Sequence, residues 1–573
     1  HCHWPILLKH LQQSKLFSSK TTTTTNMSLN NNMKKSTTTQ IPCPSYSEDN
    51  NRYDLQHLQQ RTQWLVDHHE ALGKVCIAIA GGGGHAISTL AATSGASKLL
   101  LEGTVTYDRS SFQTFVGKNL PNDKSFSYSS VEAANMASRQ ALLQGMQIKS
   151  RHAHGVPSLS SLKDTVGVGS ASTLKTSTQG GMSKSGRPSH GNIVATKANG
   201  MQVGMNVTLN CPAQDRFQQD VFVSHMIVQS LETLLQQVEV VTNQQEQQVK
   251  VNKGDDDNNN DETVFKPEEF EGITIRQWST TMTSSTDTTD KDNDTDTDAS
   301  NCPVQTAAHQ ILSGQEKAVL LLPKKSSSST TTEKTSSKNN DCSFLEPLVF
   351  PVLPDNCLIF PGSFNPPHHG HLALAQSAID KVSKNADSDI PRPLVFEISI
   401  KNADKPSIEP HEVTRRVALF RDVIKEHGNL KDWGILLTSA PLFGQKVKDL
   451  KEYAPAELKS DPKFPTSSEV ANSNRWCFVI GTDTMERILN PKYYDHSFDK
   501  MLASVQSMGV DFVVGGRLDQ KANEGQKFMT GEEILEDMPK DIQDMFVILS
   551  ENDFRVDISS TELRKKMEQQ QQA

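Results

Sequence analysis

Continuous apolar runs alternate along much of the chain with segments in which apolar residues recur every three or four positions. In the first half, the runs "KVCIAIA" and "LLLEGTVTY" predict buried strands, and "SVEAANMASRQALLQGM" predicts an amphipathic helix. In the second half, short strands are predicted by "NCLIF", "PLVFEISI", "WGILLTSA", "RWCFVIG", "VDFVVGG" and "MFVILS". Apolar strands that alternate with helices are typical of parallel sheets covered on both faces. The pattern therefore predicts two α/β domains.

Polar, low-complexity tracts interrupt this pattern and suggest where the domains end. Such tracts cannot bury enough apolar surface to offset the entropy lost on folding. Two strand-like runs, "EGITIRQW" and "QEKAVLLLP", lie between the polar tracts and are assigned to the first domain. We expect a disordered leader at 1–51, a first domain at 52–323 with insertions at about 243–262 and 279–302, a disordered linker at 324–344, and a second domain at 345–573.

Charge and cysteine usage narrow the class of protein. The net charge of -9 gives no basis for nucleic-acid binding through a basic surface. No uninterrupted apolar stretch is long enough to span a bilayer. The eight cysteines are dispersed and form no CxxC pair, which argues against a zinc ribbon or a disulfide scaffold and suits a reducing compartment. We expect a cytoplasmic protein. Organelle targeting is the alternative, because residues 1–47 contain many Ser and Thr and no Asp or Glu.

The stretch "GSFNPPHHGH" at 362–371 joins a predicted strand to a predicted helix. Gly362 permits a tight turn, and the N–H groups and dipole of a helix that begins close to Gly370 favour an anion. His368 and His371 are three residues apart and can both lie beside that anion, whereas we expect His369 to face solvent. A zinc site made of the three histidines would lack further ligands at the usual spacing.

A second candidate phosphate site lies close to the C-terminus, in "DISSTELRKKM". Ser559, Ser560 or Thr561 can cap a helix, and Arg564 lies one turn further on. Hydroxyl groups, free N–H groups and an arginine together are suited to bind phosphate.

These two motifs together resemble the nucleotidyltransferase superfamily with the HxGH signature, and the nearest resemblance is to the nicotinate/nicotinamide mononucleotide adenylyltransferases. The resemblance covers about residues 355–568. In addition, "FVIGTDTMERI" is similar to the G-x-D segment that holds the nucleoside of ATP, and "TRRVALFRDVI" to an arginine-bearing helix of the family. HxGH alone also occurs in class I aminoacyl-tRNA synthetases and cytidylyltransferases, whereas a distant ISSTxxR adds a second phosphate site. The resemblance implies a Rossmann-like parallel sheet.

The resemblance also implies a reaction and roles for individual residues. A phosphate oxygen of a mononucleotide attacks the α-phosphate of ATP, and pyrophosphate leaves without a covalent enzyme intermediate. His368 and His371 would contact the ATP phosphates as a charged wall, with His371 stabilising the transition state. ATP would be a substrate, and Mg²⁺ would accompany its phosphates, with no metal site of the protein's own. The remaining expected ATP or phosphate contacts are Gly362, Ser363, Phe364, Gly481, Asp483, Ser559, Ser560, Thr561 and Arg564, and Lys405 is a candidate for a substrate phosphate.

The first domain resembles the CinA C-terminal family, which includes nicotinamide-nucleotide amidases, over about 52–242 and near 303–323. The usual pattern of that family is A-E-S-C-T-G-G, followed by a helix, a G-x-V-x-Y strand and a lysine. In this chain Tyr107 matches the tyrosine of the pattern. Gly82 stands at the position of the serine and Phe112 at the position of the lysine. A serine nucleophile needs its hydroxyl group and a base. We therefore expect a CinA-like α/β fold without amidase activity. The tetraglycine turn at 81–84 could bind phosphate or be purely structural.

These observations lead us to expect an ATP-dependent nucleotidyltransferase that adenylylates nicotinate or nicotinamide mononucleotide in NAD biosynthesis. Within the same class, the alternatives are a cytidylyltransferase or a transferase for another phosphate, such as phosphopantetheine. The alternative from another class is a catalytically silent, nucleotide-binding regulatory protein. The expected partners are small-molecule nucleotides, with neither nucleic acid nor membrane, and the sequence leaves open whether the chain forms a homo-oligomer.

Overall fold

A computed structural model gives the architecture of the chain. It describes residues 21–24, 35–42, 53–117, 120, 126–151, 157–175, 188–211, 214–247, 272–280, 302–324, 341–384, 392–401, 406–427, 430–455, 475–519, 527–555 and 569. The chain divides into a first compact unit at 1–145 and 164–282 and a second at 146–163 and 283–573.

The secondary structure is mixed in both units. The strands are β1 (Thr21–Thr24), β2 (Lys35–Pro42), β3 (Lys74–Ala80), β4 (Leu100–Val105), β5 (Thr165–Thr173), β6 (Ser189–Lys197), β7 (Gln202–Asn210), β8 (Gly272–Thr280), β9 (Ala318–Pro323), β10 (Leu345–Pro347), β11 (Leu358–Pro361), β12 (Leu394–Ser399), β13 (Trp433–Thr438), β14 (Cys477–Gly481), β15 (Asp511–Gly515), β16 (Arg517–Asp519), β17 (Lys527–Met529) and β18 (Phe546–Ile548).

The helices connect these strands. They are α1 (Leu55–Asp67), α2 (His69–Leu72), α3 (Gly84–Ala92), α4 (Arg109–Val116), α5 (Val131–Lys149), α6 (Leu159–Lys163), α7 (Arg216–Gln247), α8 (Pro303–Ser313), α9 (His369–Lys384), α10 (Pro410–His427), α11 (Phe443–Lys451), α12 (Thr482–Ile488), α13 (Phe498–Met508), α14 (Glu532–Leu535) and α15 (Lys540–Gln543), with 3₁₀ turns at Ala96–Lys98 and Pro491–Tyr493. Among the described residues, none of the helices combines the length and the apolar character needed to cross a membrane.

The first unit is built on a sheet with the strand order β1-β2-β8-β7-β6-β5-β3-β4. Strand β3 pairs in parallel with β4 and β5. From β5 outwards to β1 all pairings are antiparallel. Helix α7 packs on β6 and β7, and the core between sheet and helices includes Ile77, Val168, Phe222 and Ile227, each at most 2% exposed. This unit is an α/β fold, as predicted.

Two expectations about the first unit are wrong. Its sheet is mixed rather than parallel, because β6 and β7 form a hairpin whose turn includes Gly200 at a φ of 85°. Within the leader that we expected to be disordered, β1 and β2 extend the sheet through the pairing of β2 with β8. Cys211 is disulfide-bonded, which the dispersed cysteine pattern did not indicate. Most of the expected insertions at 243–262 and 279–302 lie outside the described residues.

The second unit is built on a sheet with the order β10-β9-β13-β12-β11-β14-β15-β18. From β13 to β18 neighbouring strands are parallel throughout. Numbered from β11, this run has the order 3-2-1-4-5-6 of the doubly wound nucleotide-binding folds. The buried strands read as continuous apolar runs because helices cover both faces. The predicted Rossmann-like sheet is confirmed.

The boundary between the units differs from the predicted one at residue 323. Strand β9 belongs to the second unit, where it pairs antiparallel with both β13 and β10. Helix α8 packs against α10 and buries Val304 and Ile311 completely. The expected linker at 324–344 ends early as well, since Cys342 is 2% exposed. The strand was misassigned because its partners are far away in the sequence, and an apolar run alone does not specify them.

Helix α5 packs so closely on β5 that we expect any side chain at position 169 to destabilise the fold. A Cβ atom at Gly169 would overlap the backbone of Ala134 and Ser138, whereas one at Gly191 in the neighbouring strand β6 would meet Val223 and Ser172 no closer than 3.4 Å. Gly169→Ala should therefore lower the free energy of unfolding by about 3 kcal/mol. Gly191→Ala should change it by no more than about 0.5 kcal/mol. Calorimetric unfolding of both variants checks this, and equal effects would contradict it.

Candidate active site

The candidate site lies where the strand order of the second sheet reverses. Strands β11 and β14 run parallel, with Leu358 opposite Cys477 and Ile359 opposite Phe478. Their carboxyl ends therefore reach the same edge of the sheet, where the loop 362–368 follows β11 and α12 follows β14. In open α/β sheets ligands bind in the crevice at this reversal. The structure thus places the "GSFNPPHHGH" loop and the Gly481–Asp483 segment at the same edge of the sheet.

The loop after β11 is held in shape by a buried aromatic ring. Phe364 is 0% exposed and adopts a left-handed backbone with a φ of 41°. Its ring packs edge-on against Phe360, Phe396 and Phe420, with ring centres 5.0–5.6 Å apart. A Cβ atom at Gly362 would lie 2.6 Å from the Phe364 ring. Gly362 is therefore required for close approach of this ring, and Phe364 shapes the loop from beneath.

His368 and His371 form a stacked pair at the start of α9. Their ring centres are 3.7 Å apart, and the backbone N–H of His368 donates to Nδ1 of His371 at 3.1 Å. The His371 ring also meets the edge of Phe364 at 5.0 Å. Because Nδ1 of His371 accepts a hydrogen bond, the neutral ring carries its proton on Nε2. His369 is exposed, as predicted.

The two histidines are neutral near pH 7. Burial, with a contribution from His369, lowers the pKa of His368 to about 4. Burial and the neighbouring His368 ring lower the pKa of His371 to about 3. These pKa values do not fit the expectation of a charged wall, because two stacked and partly desolvated imidazoles disfavour the charged form. What they present is N–H donors.

Helix α10 braces the loop from one side through two arginines. Arg415 donates to Asn365 Oδ1 at 2.7 Å, and Arg416 donates to the carbonyl oxygen of Ser363 at 3.1 Å. Both arginines also bond to Glu412 at 2.7–2.8 Å. Hydrogen bonds from Arg415 and Arg416 lower the pKa of Glu412 to about 2. The bonds to Glu412 thereby hold the guanidinium groups of Arg415 and Arg416 in place against the loop.

A buried ion pair supports the loop from within the sheet. Glu397 at the end of β12 is 1% exposed, and its carboxylate accepts from Lys446 Nζ at 2.6 Å and from Thr438 Oγ1. The backbone carbonyl of Glu397 accepts from the N–H of Gly362 at 2.9 Å. The Lys446 ammonium also lies 5.0 Å from the centre of the Phe443 ring. Glu397 is thus fixed at both its side chain and its backbone.

The segment after β14 supplies the opposite wall. Gly481 caps α12, and a Cβ atom there would lie 3.0 Å from Asp483 Oδ1. Asp483 is exposed in the first turn of the helix. Thr482 Oγ1 is buried and has no hydrogen-bond partner among the described residues. A small residue at position 481 therefore leaves room between the strand end and the carboxylate.

Other predicted contacts fall outside the described residues. These are Lys405, Ser559, Ser560, Thr561 and Arg564. Within the described part of the chain, no three His, Cys, Asp or Glu side chains converge in a way that could hold a metal ion.

The bracing residues were not among the predicted site residues, although the sequence carries signals for them. Glu397 interrupts the apolar run "PLVFEISI", and a carboxylate in a buried strand needs a partner. Glu412 precedes Arg415 and Arg416 by three and four residues, which is the spacing of side chains that meet on one face of a helix.

The tetraglycine turn of the first unit already holds an anion from its own chain. The N–H of Gly83 donates to Asp220 Oδ1 at 2.8 Å, and His85 Nδ1 lies 2.6 Å from Asp220 Oδ2. The N–H of Gly82 bonds to Ser172 Oγ at 2.5 Å. These contacts favour the structural interpretation of the turn over phosphate binding.

A cavity of about 440 Å³ lies beside this turn. Its lining includes Gly81, Tyr107, Arg109, Tyr128 and Ser172. Tyr107 is 68% exposed, and its hydroxyl oxygen accepts from Arg216 at 3.0 Å. Phe112, at the expected lysine position, is buried with 1% exposure.

Comparison with protein families supports the assignment of the second unit. The family described as cytidylyltransferase-like matches residues 359–566. Residues 359–566 are a cytidylyltransferase-like domain. This domain contains both the histidine loop and the Gly481–Asp483 segment, so a nucleotidyltransferase function is supported. A search of curated proteins found no match.

Solved structures of the CinA superfamily are similar to part of the chain. One, a competence/damage-inducible protein from Agrobacterium tumefaciens, is 15% identical, with 31% of this chain and 93% of that chain covered and a TM-score of 0.24. Another, a competence-damaged protein superfamily member from Enterobacter cloacae, is also 15% identical, with 34% and 98% covered and a TM-score of 0.24. Scores this low carry no argument about function.

We expect His371 of the cytidylyltransferase-like domain to remain neutral, with its proton on Nε2, from pH 8 down to about pH 5. Its pKa is about 3, against the ordinary value of 6.5. Long-range ¹H–¹⁵N spectra of histidine-labelled protein check this, with the signal assigned by its loss in His371→Asn. A titration midpoint near 6.5 would contradict it. Because the unfolded state binds this proton more readily, the contribution of His371 to stability falls as the pH drops below 6.5.

We expect Lys446→Met to destabilise the cytidylyltransferase-like domain, because it leaves the Glu397 carboxylate buried without its cation. Removing one partner of such a pair costs about 3–5 kcal/mol. Lys448 lies on the exposed face of the same helix, so Lys448→Met should change the free energy of unfolding by no more than about 0.5 kcal/mol. Urea unfolding compares the two. Adding Glu397→Gln to Lys446→Met should restore part of the loss, and no difference between the lysine variants would refute the role of the pair.

Proposed function

We propose that the cytidylyltransferase-like domain transfers the adenylyl group of ATP to nicotinate or nicotinamide mononucleotide and releases pyrophosphate, as a step of NAD biosynthesis. The observation that carries the proposal is the stacked pair of His368 and His371 at the sheet reversal, with N–H donors beside the N-terminus of α9. The joint resemblance of "GSFNPPHHGH" and "ISSTELR" to adenylyltransferases supports the choice of donor and acceptor.

In the proposed reaction, the protein aligns two phosphates and lowers the energy of the charge that develops between them. A phosphate oxygen of the acceptor forms a bond to the α-phosphorus, and the bond from that phosphorus to the pyrophosphate oxygen breaks. Nε2–H of His371 donates to a non-bridging oxygen of the α-phosphate, where negative charge accumulates. No proton transfer to the protein is needed, so the neutral state of the ring suits this role. Mg²⁺ enters with ATP as part of the substrate.

The second wall of the crevice binds the nucleoside in this proposal. Gly481 leaves space at the end of β14, and Asp483 presents a carboxylate that can accept from ribose hydroxyls. The buried Thr482 hydroxyl provides a further polar group at the same helix start. Ser559, Ser560, Thr561 and Arg564 would hold the pyrophosphate, and Lys405 a substrate phosphate, by resemblance alone.

A second candidate of the same class is cytidylyl transfer or adenylyl transfer to another phosphate. The description of the matching family as cytidylyltransferase-like favours it. The candidate from another class is a silent nucleotide-binding regulator. The presence and pairing of His368 and His371 count against it, because a silent protein does not need the two donors in this geometry.

The first unit is proposed to lack amidase activity. Gly82 carries no hydroxyl group, and the buried Phe112 supplies no amine that could act as a base.

We expect pyrophosphate release from ATP to require nicotinate or nicotinamide mononucleotide. The assay supplies ATP or CTP with Mg²⁺ and each acceptor in turn: the two mononucleotides, phosphopantetheine and phosphocholine. Release of pyrophosphate only from CTP, or only with another acceptor, would favour the second candidate function. No release with any pair would favour the silent regulator and sink both enzymatic proposals.

We expect His371→Ala to lower kcat by about 100- to 1,000-fold, because it removes a donor aimed at the charge that develops in the transition state. His369→Ala is the matched control, since His369 is the exposed neighbour in the same turn. Its activity should stay within twofold of the parent. Circular dichroism and the unfolding temperature show whether either variant is folded, and near-normal turnover by folded His371→Ala would refute the assigned role.

A further inference from the structure

Two cysteines of the second unit meet at the edge of its core, outside the candidate active site. Cys302 precedes α8 as its N-cap residue and is partly exposed. Cys342 precedes β10 and is 2% exposed. Each of the two thiols shifts the pKa of the other through a side-chain interaction. They lie forty residues apart in sequence, and their proximity is a product of the fold.

Both sulfur atoms also contact one residue of α10. Cys302 Sγ lies 4.0 Å from Thr414 Oγ1, and Cys342 Sγ lies 3.5 Å from the carbonyl oxygen of Thr414. Helices α8 and α10 pack against each other, so the two cysteines are held on a common rigid support. A disulfide needs its sulfur atoms at about 2.05 Å and its Cβ atoms at about 3.5–4.5 Å. Because both sulfur atoms are held against the same residue, side-chain movements can bring them to this geometry.

The surroundings make the two thiols unequal. The hydrogen bond from Cys342 and the backbone N–H groups of Val304 and Gln305 lower the pKa of Cys302 to about 6. The hydrogen bond with Cys302 and burial raise the pKa of Cys342 well above its usual range. At neutral pH, Cys302 is therefore the thiolate and the more accessible sulfur, which are the properties of an attacking cysteine.

We propose that Cys302 and Cys342 form a thiol–disulfide modification site, in which Cys302 is the oxidant-sensitive nucleophile and Cys342 is the resolving thiol. Other described cysteines do not share these features. Cys357 and Cys477 are buried, and burial raises the pKa of Cys477 to about 12. The oxidant class is a hydroperoxide.

The chemistry proceeds in two balanced steps. The Cys302 thiolate attacks one oxygen of hydrogen peroxide; an S–O bond forms, the O–O bond breaks, and the departing hydroxide takes a proton to become water. The Cys342 sulfur then attacks the sulfenic sulfur of Cys302; an S–S bond forms, the S–O bond breaks, and the leaving hydroxide takes the Cys342 proton. The two thiols together lose two electrons and two protons, and the peroxide is reduced to two waters. A dithiol reductant reverses the outcome by exchange.

Peptide mapping of the intact chain tests the proposal. The folded protein is treated with hydrogen peroxide at pH 7, its remaining thiols are blocked with N-ethylmaleimide, and peptides are analysed by mass spectrometry. With N-ethylmaleimide added as the oxidised protein is unfolded, we expect a cross-linked peptide joining Cys302 to Cys342 that disappears after dithiothreitol treatment, while Cys357 and Cys477 carry N-ethylmaleimide. Cys211, itself disulfide-bonded, is scored separately.

Two variants assign the roles. In Cys342→Ser, dimedone should trap a sulfenic acid on Cys302. In Cys302→Ser, Cys342 should remain a thiol under the same treatment. Circular dichroism before and after oxidation shows that the protein stays folded. Failure to cross-link in the folded parent would overturn the proposal, as would equal labelling of Cys342 and Cys302 by dimedone in the two variants. None of these readouts depends on the proposed transferase activity.

Discussion

The parallel pairing of β11 with β14 is the constraint on which the candidate site depends. It makes neighbours of two strands that are separated by more than a hundred residues of chain, and it reverses the strand order at that point. Each strand then ends at the same edge, so the histidine loop and the start of α12 face one crevice. The apolar contacts of Phe360, Phe364 and Phe396 lie beneath this edge and keep the loop from collapsing into it.

The polar groups around the crevice hold the loop in position, and no chemical step is assigned to them. Glu397 holds the start of the loop through its backbone, while its carboxylate is neutralised by Lys446. Arg415 and Arg416 hold the middle of the loop, and both donate to the single carboxylate of Glu412. His368 and His371 are uncharged near neutral pH because burial lowers the pKa of both rings.

How much the sequence predicted depends on the range of the interactions involved. The strands of the second sheet were predictable because parallel strands covered on both faces are apolar throughout, and the loop after β11 was predictable because glycine, proline and histidine stand together at a strand end. The membership of β9 was not predictable, since "EGITIRQW" and "QEKAVLLLP" look alike and differ only in distant partners. The hairpin of β6 and β7 had a local signal in Asn199–Gly200. The neutral state of the histidines had none, because it arises from burial and stacking.

The position of α8 and β9 extends the structural unit that contains the candidate site. The family match begins at residue 359, yet β9 is hydrogen-bonded to β13 and α8 buries its apolar face against α10. Helix α10 in turn carries the arginines that brace the histidine loop. The segment 303–323 therefore completes the edge of the sheet and stabilises the helix that positions the loop. Since Cys302 caps α8 and touches Thr414, one turn of α10 joins this added segment, the cysteine pair and the loop-bracing arginines. The folded unit is thus larger than the segment that matches the family, and its added part lies on the side from which the loop is braced.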